Sequence, residues 1–404
     1  MAAYRYLVGA AGLPNYGDEI IMATWLTWLA RRDPGVRIWV DCPEPGRAAA
    51  LMSELHPRVQ FTNTLWQLTG RAANSDYTTV REHVSRYISD LGTPELDRGL
   101  LLLRGARSVH LVGGGYLNSI WPTNLGLVAA AAHLARDFGV EAFATGLGLL
   151  PQPSASVDQL RADFHSFTSV STRDAGSSQL FDLPMVSDDV FLQPTFALSK
   201  GEPASEDIVV LIQGDLNDAV DIARERRLIE RFVAMCEANG SAGLLFLEGY
   251  PQHDSRDWWW LRERFPTATF MPFDHLWRHG FPVRAGQRWL TSRFHFHLLA
   301  AIGGAQGVAF VLDENYYEAK HGSLAAIGTG WSMVSASFVA DDAATIDTTR
   351  NAGFDSVVSA LASQKMREAA LLYPSRRTRL IDPLGRRVRS AGRKLRSIVR
   401  SDSP

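Results

Sequence analysis

The sequence has little cysteine and no strong excess of charge, and both absences narrow the range of functions. Cys42 and Cys236 are the only cysteines among the 404 residues, and they lie far apart in the chain. They form neither a disulfide framework nor the paired spacing of a metal site, so we expect no metal and a cytoplasmic location. The net charge of -2 gives the chain no general attraction to nucleic acid, and no nucleic-acid partner is expected.

Long uncharged hydrophobic runs are also missing. The longest candidate, residues 125–134, is short and rich in alanine, which favours a core helix over a membrane span. The N-terminus turns at Gly12 and Pro14 after a short apolar segment, so no signal peptide is expected. No dinucleotide fingerprint follows that segment, which argues against an oxidoreductase and predicts no cofactor.

Short apolar segments alternate with helical patterns in both halves of the chain. Alternation of this kind predicts parallel sheets with right-handed crossovers. The expected fold class is therefore α/β, with two doubly wound, Rossmann-like domains facing a cleft that holds the ligand. We place these domains at residues 1–198 and 206–372, on either side of a polar linker that begins at Ser199. The strands are predicted at residues 5–10, 37–41, 59–61, 109–112, 141–146, 169–172, 208–213, 244–248, 269–271, 289–291 and 308–312.

The last segment, residues 373–404, differs in composition from the rest. Between Arg376 and Arg400 it carries ten Arg or Lys residues and one acid, Asp382. Apolar residues recur through it at helical spacing, which predicts a basic amphipathic tail. One interpretation is peripheral contact with an anionic membrane at the inner face of the cell membrane. The other is a solvated tail without a partner.

Two loops after predicted strands are candidates for ligand contact. Asn15-Tyr16-Gly17-Asp18-Glu19 joins the first strand to the first helix, with Asp18 expected at the N-cap. Gly113-Gly114-Gly115 follows the strand at residues 109–112, and its backbone amides can line an anion site. Helix capping and close chain packing are the structural alternatives for the two loops.

Cationic side chains occur at two other strand ends. Arg173 ends the strand at residues 169–172, and Arg293 and His295 lie where an apolar strand runs into a helix. Arginine binds carboxylate or phosphate through two parallel hydrogen bonds, and histidine transfers protons near neutral pH. Ion pairing of Arg173 and burial of His295 are the structural alternatives, and His297 is expected to face outward.

Lys320 follows the strand at residues 308–312 in a polar and aromatic segment. It can contact an anion or transfer a proton if it is desolvated, and a surface lysine is the alternative. Trp258-Trp259-Trp260 can form a platform for a sugar, but we expect a helix that buries two indoles and half-exposes the third.

The ordered set of segments resembles the polysaccharide pyruvyl transferase family. The resemblance spans about residues 6–325, and its R-x-H element has Phe294 where that family usually has leucine. The segments that carry it are Asn15-x-Gly17-Asp18-Glu19, Gly113-Gly114-Gly115-x-Leu117, Arg173-Asp174-x-x-Ser177, Asp189-Val190-Phe191-Leu192, Ser292-Arg293-x-His295 and Lys320.

The resemblance implies a fold similar to two-domain GT-B glycosyltransferases. It also implies transfer of the pyruvyl group of phosphoenolpyruvate to a hexose of a cell-surface glycan or glycolipid, as a ketal. By this resemblance Arg173 and Arg293 bind the donor, and His295 and Lys320 are the catalytic candidates. Asn15, Asp18 and the three glycines are expected to contact substrate. Two alternatives stay open, a nucleotide-sugar glycosyltransferase that uses Glu248 or Glu318, and an inactive membrane-associated sugar-binding protein.

Overall fold

The computed structural model describes residues 4–72, 76–196, 198, 203–214, 222–311, 316–335 and 346–374, without the side chains of 316–319. The predicted basic tail lies outside these residues from 375 onward, and so does most of the linker that begins at Ser199.

The first half of the chain forms a parallel sheet of six strands in the order β3-β2-β1-β4-β5-β6. Residues on both faces of the central strands are buried, as expected when helices cover a parallel sheet on both sides. The strands are β1 (Tyr4–Val8), β2 (Arg37–Asp41), β3 (Val59–Thr62), β4 (Ser108–Leu111), β5 (Glu141–Leu147) and β6 (Ser169–Thr172).

Eight α-helices and two 3₁₀ turns connect or flank the strands of this first sheet. The helices are α1 (Tyr16–Arg32), α2 (Pro45–Met52), α3 (Thr64–Gly70), α4 (Tyr77–Asp90), α5 (Pro94–Arg104), α6 (Gly126–Asp137), α7 (Ser154–Phe164) and α8 (Ala175–Phe181). The 3₁₀ turns cover Pro122–Leu125 and Asp189–Leu192. The sequence pattern did not predict α3, α4 and α5, which lie between β3 and β4.

The second half of the chain repeats the strand order of the first. Its sheet runs β12-β11-β10-β7-β8-β9, so its first and fourth strands are again neighbours. The strands are β7 (Ile208–Leu211), β8 (Leu244–Leu247), β9 (Thr269–Met271), β10 (Arg288–Thr291), β11 (Gln306–Val311) and β12 (Ser332–Ser335). The helices are α9 (Ile222–Ala238), α10 (Trp258–Arg264), α11 (Phe273–His279), α12 (Phe294–Ile302), α13 (Tyr316–Ala326) and α14 (Phe354–Leu372).

Helix α14 leaves the second half of the chain and packs against residues of the first half. Its Lys365 forms an ion pair with Asp189 at 2.9 Å, and Trp28 donates a hydrogen bond to the sulfur of Met366. Just after the helix, the Tyr373 hydroxyl lies 2.8 Å from His110 Nδ1. These contacts join the C-terminal part of the described chain to the first half. Among the described residues, no helix has the length and apolar character needed to cross a membrane.

Candidate functional site

In each sheet the candidate loops follow two neighbouring strands, at the point where the strand order reverses. In the first sheet β1 and β4 are adjacent, so the Asn15 loop and the Gly113 loop leave the sheet side by side. In the second sheet β7 and β10 are adjacent, and Arg293 follows β10. A doubly wound sheet opens a crevice at this switch point, outside the carboxyl ends of its strands. The two crevices supply the walls of the candidate site.

The first loop differs from prediction in its cap. Helix α1 begins at Tyr16, so Asn15 takes the N-cap position and Asp18 lies in the first turn. The prediction that Asp18 is the N-cap is therefore wrong, because the helix begins three residues earlier than expected. The Asp18 carboxylate instead accepts a hydrogen bond of 2.9 Å from the Asn15 side-chain amide. Glu19 accepts a hydrogen bond from the Gly12 backbone at 2.6 Å and holds the loop.

A buried acid, Asp189, holds the backbone of the glycine loop. The Gly113 amide donates to Asp189 Oδ2 over 2.8 Å. Gly114 has a φ of 138°, which a residue with a side chain rarely adopts, and its backbone approaches the Asp18 carboxylate. Next to Gly115 lie the guanidinium of Arg173 and the end of the Lys320 side chain. The loop thus runs between an acid and two cations.

Arg173 and His295 share one carboxylate. Asp188 Oδ2 accepts from Arg173 Nη1 at 2.9 Å and lies 3.3 Å from His295 Nε2. Although burial opposes its ionisation, the neighbouring charges of His295 and Arg173 hold the pKa of Asp188 well below its usual range. The Arg173 guanidinium also lies 4.1 Å from the centre of the Phe294 ring. Arg173 and Asp188 of the first half therefore contact two consecutive residues of the second half, Phe294 and His295.

The His295 ring packs directly on the backbone of α1. A Cβ atom on Gly17 would lie 2.1 Å from His295 Nδ1, so only glycine leaves room for the ring. The ring is half-buried, with 11% of its side chain exposed. Asp188 on one side and Gly17 on the other fix its orientation.

Arg293 is positioned by an acid of the second half. Its Nε donates to Asp254 Oδ2 at 2.9 Å, and its Nη2 donates to Oδ1 at 2.6 Å. Asp254 also accepts from the backbone amides of Gly214, Gly249 and Tyr250. Charge-assisted hydrogen bonds of this two-pronged kind fix the plane of a guanidinium. Arg293 thus occupies a single orientation at the end of β10.

Lys320 lies on α13 and reaches the side of the cleft that holds Arg173. A pocket between them is lined by Gly148, Leu150, Arg173, Asp174, Lys320 and Ser323. Asp174 caps α8 by accepting from the amide and the hydroxyl of Ser177, so it is not the ion-pair partner of Arg173. The pocket therefore offers two cations beside one acid, Asp174, and two cations suit a small phosphate or carboxylate.

Asp18 faces the cations of the cleft. Loss of solvation raises the pKa of its carboxyl above the usual range, although the charges of His295, Lys320, Arg173 and Arg293 oppose that effect. The four cations named from the sequence are thus all close enough to act on one carboxylate. The structure brings together Asn15, Asp18, Gly113, Gly114, Gly115, Arg173, Arg293, His295 and Lys320.

Other sequence interpretations have mixed outcomes. The expectation that His297 faces outward is wrong, because its ring is buried, stacked on Trp331 and hydrogen-bonded to Thr329. Glu248 accepts from the backbone amides of Gln252 and Phe273, a structural task. The side chain of Glu318 lies outside the described residues. In the tryptophan run Trp259 is 68% exposed and its two neighbours are only partly buried, so the run is less buried than expected.

Comparison with known proteins decides the family. A family model described as polysaccharide pyruvyl transferase matches residues 15–281, which is more than half of the chain. The chain belongs to the polysaccharide pyruvyl transferase family. The matched range includes the loops at Asn15 and Gly113 as well as Arg173, and it ends before Arg293. A search of curated proteins finds no significant match.

Solved structures of other proteins are similar to this pyruvyl transferase family member. A UDP-GlcNAc 2-epimerase from Methanocaldococcus jannaschii is 10% identical, covers 92% of this chain and 99% of its own, and has a TM-score of 0.51. MurG of Acinetobacter baumannii is 12% identical over 90% of this chain and 95% of its own, with a TM-score of 0.44. The spinosyn rhamnosyltransferase SpnG is 13% identical over 90% and 96%, with a TM-score of 0.44. The two six-stranded parallel sheets confirm the predicted fold class of two doubly wound domains, and the epimerase shares this fold.

Sequence reasoning missed two acids of the site. Asp188 joins Arg173 to His295, and Asp254 orients Arg293. The consecutive acids Asp188 and Asp189 in an otherwise apolar segment were a signal, because buried charges require partners. Asp254 lies in an irregular segment between β8 and α10, where no spacing points to Arg293.

Proposed function

We propose that this protein transfers the pyruvyl group of phosphoenolpyruvate to a hexose and forms a ketal with two of its hydroxyls. Family membership supports pyruvyl transfer to a polysaccharide. The observation that carries the choice of donor is the meeting of Arg173, His295, Arg293 and Lys320 around one cleft between the two halves. Phosphoenolpyruvate is small and carries several negative charges, which suits such a site.

The donor phosphate is assigned to the pocket of Arg173 and Lys320. Lysine provides a point charge and arginine a planar fork, so the pair can hold a tetrahedral phosphate without a metal ion. The donor carboxylate is assigned to Arg293, whose orientation is fixed by Asp254. Holding the donor at both ends would leave its methylene carbon exposed to His295, which shares the Asp188 carboxylate with Arg173.

His295 is assigned the role of general acid. In its charged form it gives a proton to the methylene carbon, which creates positive character at the adjacent carbon C2. A sugar hydroxyl then attacks C2, the bond from C2 to the phosphate oxygen breaks, and a second hydroxyl closes the ketal. Asp188 supports this role by orienting the ring and by remaining ionised beside it.

The assay that tests this function uses phosphoenolpyruvate and a panel of lipid-linked and aryl hexosides. Mass spectrometry should show an acceptor that has gained one pyruvate as a ketal, with release of one phosphate. His295→Ala should lower turnover by roughly a hundred- to ten-thousand-fold, the usual contribution of a general acid, while phosphoenolpyruvate still binds. His275→Ala, at an exposed position of α11, is the control. Wild-type turnover in the purified His295 variant would remove the assigned role.

Peripheral membrane contact and a cytoplasmic location belong to the same proposal. The basic composition of residues 376–400 supports attraction to anionic lipid. Deletion of residues 376–404 should reduce sedimentation with liposomes that contain anionic lipid. Unchanged sedimentation would overturn the membrane contact without affecting the transfer reaction.

A further inference from the structure

The acids that surround the cleft differ in how many fixed partners they have. Asp188 is held by Arg173 and His295, and Asp254 by Arg293 and three backbone amides. Asp189 accepts from Trp25, Gly113 and Thr145 and is paired with Lys365. These three carboxylates are fully engaged in holding other groups. Protonation of any of them would weaken the ion pairs and hydrogen bonds that position the residues of the site.

Asp18 has a different environment. Among the residues that the structure describes, the Asn15 amide alone donates a hydrogen bond to it, and that bond goes to Oδ2. Its Oδ1 lies against the glycine loop, 3.3 Å from the position of a Cβ atom on Gly114. Asp18 is not the N-cap of α1, so helix capping does not account for it. Asp18 Oδ1 therefore lies beside the glycine loop, and no group among the described residues donates a hydrogen bond to it.

The position of Asp18 relative to the proton donor is also defined. It follows Gly17, the residue on which the His295 ring packs. Its charge interacts with those of His295, Arg173, Arg293 and Lys320. A donor held by these cations would therefore lie with Asp18 on the side of α1 and the glycine loop. An acceptor hydroxyl that enters from this side reaches C2 of the donor next to a carboxylate.

We propose that Asp18 is the general base that removes the proton from the attacking sugar hydroxyl. This proposal rests on the transfer reaction proposed above and adds a second catalytic group to it. Geometry carries it, because Asp18 Oδ1 lies beside the glycine loop that Arg173 and Lys320 also approach, and because Asp18 follows Gly17, on which the His295 ring packs. The raised pKa of the Asp18 carboxyl agrees with a base of increased proton affinity.

Protons and bonds balance over one full cycle. His295 gives its proton to the donor methylene, Asp18 takes the proton of the first hydroxyl, and the new oxygen–carbon bond forms at C2. The bond between C2 and the phosphate oxygen then breaks, and Asp18 returns its proton to the departing phosphate. The second hydroxyl attacks C2 and gives its proton to neutral His295. The proton of the first hydroxyl thus ends on the phosphate, and the proton of the second replaces the one that His295 gave to the methyl group, so both side chains regain their starting states.

Removal of the carboxylate is the first part of the test. Asp18→Asn keeps the size of the side chain and should lower kcat by roughly a hundred- to ten-thousand-fold. Calorimetric titration should show phosphoenolpyruvate binding within a few-fold of wild type. The acidic limb of the pH profile of kcat/KM for the acceptor should disappear, and Asp18→Glu should restore that limb with part of the turnover. Asp76→Asn, which changes an exposed acid at the N-terminus of α4, is the matched control.

Chemical rescue is the second part, and it also covers the case in which Asp18→Asn does not fold. Asp18→Ala leaves a space for a small carboxylate, so added formate should raise its turnover, whereas Asp76→Ala should show no response to formate. Turnover within threefold of wild type in Asp18→Asn or Asp18→Ala would overturn the role of base. So would a loss of phosphoenolpyruvate binding that matches the loss of turnover, or the absence of formate rescue. If wild-type protein itself transfers no pyruvate, the proposed function fails instead.

Discussion

At the scale of single residues, the types of the functional side chains could be predicted, but their partners could not. Arg173, Arg293 and His295 were recognisable because each follows a strand end, where ligands bind in doubly wound folds. Asp188 and His295 are separated by 107 positions in the chain. A contact over that distance leaves no periodic signal, so the acid that orients the histidine emerges only from the folded structure.

Arg293 provides a prediction at this scale. Arg293→Lys should raise the KM for phosphoenolpyruvate at least tenfold, which corresponds to about 1.4 kcal/mol of lost binding. Lysine cannot donate to both oxygens of Asp254 and at the same time present a planar face to the donor. Steady-state kinetics at saturating acceptor measure the effect.

Arg278→Lys is the matched control for this prediction. Arg278 lies on the surface of α11 and pairs with Asp274 four residues earlier. Its replacement should leave the donor KM within twofold of wild type. An unchanged donor KM in the Arg293 variant would show that this guanidinium has no part in donor binding.

At the scale of helices and strands, the sequence predicted the strands that lead into the cleft and the junction at Arg293. It missed α4, because only Tyr77, Val80, Val84 and Ile88 of that helix are buried. Such a narrow apolar stripe in a polar segment gives a weak helical signal. None of the cleft residues lies on the helices that the sequence missed between β3 and β4, so these errors did not affect the predicted site.

The contact between α1 and His295 predicts the effect of one added methyl group. Gly17→Ala should lower kcat by roughly ten- to a hundred-fold, since misplacement of a catalytic group by about 1 Å has effects of this size. The added Cβ would lie 2.1 Å from His295 Nδ1 and force the ring to move. Turnover measurements test this directly.

Gly46→Ala is the control, because no atom lies within 4 Å of its added Cβ on α2. It should leave kcat unchanged. Equal turnover in both variants would contradict the described packing of His295 on α1.

The buried histidine pair between α12 and α13 predicts a pH dependence of stability. His321 Nε2 donates to the Ser292 carbonyl oxygen, so its Nδ1 accepts from His297 Nδ1. Both rings are then neutral, and burial lowers the pKa of His321 to about 4. The pair links the helix of Lys320 to the helix of His295.

When the pH falls below the ordinary histidine pKa of about 6.5, His321 of the unfolded chain binds a proton, whereas the buried His321 of the folded chain stays neutral. The stability that neutral His321 provides is therefore complete above about pH 6.5 and is lost as the pH falls toward 4. His321→Gln should reduce the slope of the free energy of unfolding in this range by about 1.4 kcal/mol per pH unit. Urea unfolding at several pH values measures it, and a slope equal to wild type would contradict the neutral pair.

At the scale of the whole molecule, the two halves of the chain have the same strand order. They differ in that the last helix of the second half, α14, packs against the first half. The alternation of strands and helices was enough to predict two doubly wound domains. It could not predict that α14 returns to the first half, because that crossing is a tertiary contact made by Lys365, Met366 and Tyr373. The domain ranges 1–198, 206–372 and 373–404 remain predictions.

The return of α14 makes the stability of the molecule depend on one buried lysine. Lys365 has no exposed surface and pairs with Asp189, which in turn holds the Gly113 amide. Lys365→Met should lower the free energy of unfolding by about 3–5 kcal/mol, because it leaves the buried Asp189 charge without its cationic partner. Arg367→Met, at an exposed position of α14, should change it by less than about 0.5 kcal/mol. Urea unfolding of both variants decides, and equal stabilities would show that the ion pair does not anchor the helix.

The central claim is that cations from both halves of the chain bind phosphoenolpyruvate between them. A crystal structure of the protein soaked with phosphoenolpyruvate tests it most directly. The account predicts the phosphate within hydrogen-bond distance of Arg173 and Lys320, the carboxylate at Arg293, and the methylene carbon facing His295. Phosphoenolpyruvate bound elsewhere, with this cleft empty at saturating concentration, would contradict it.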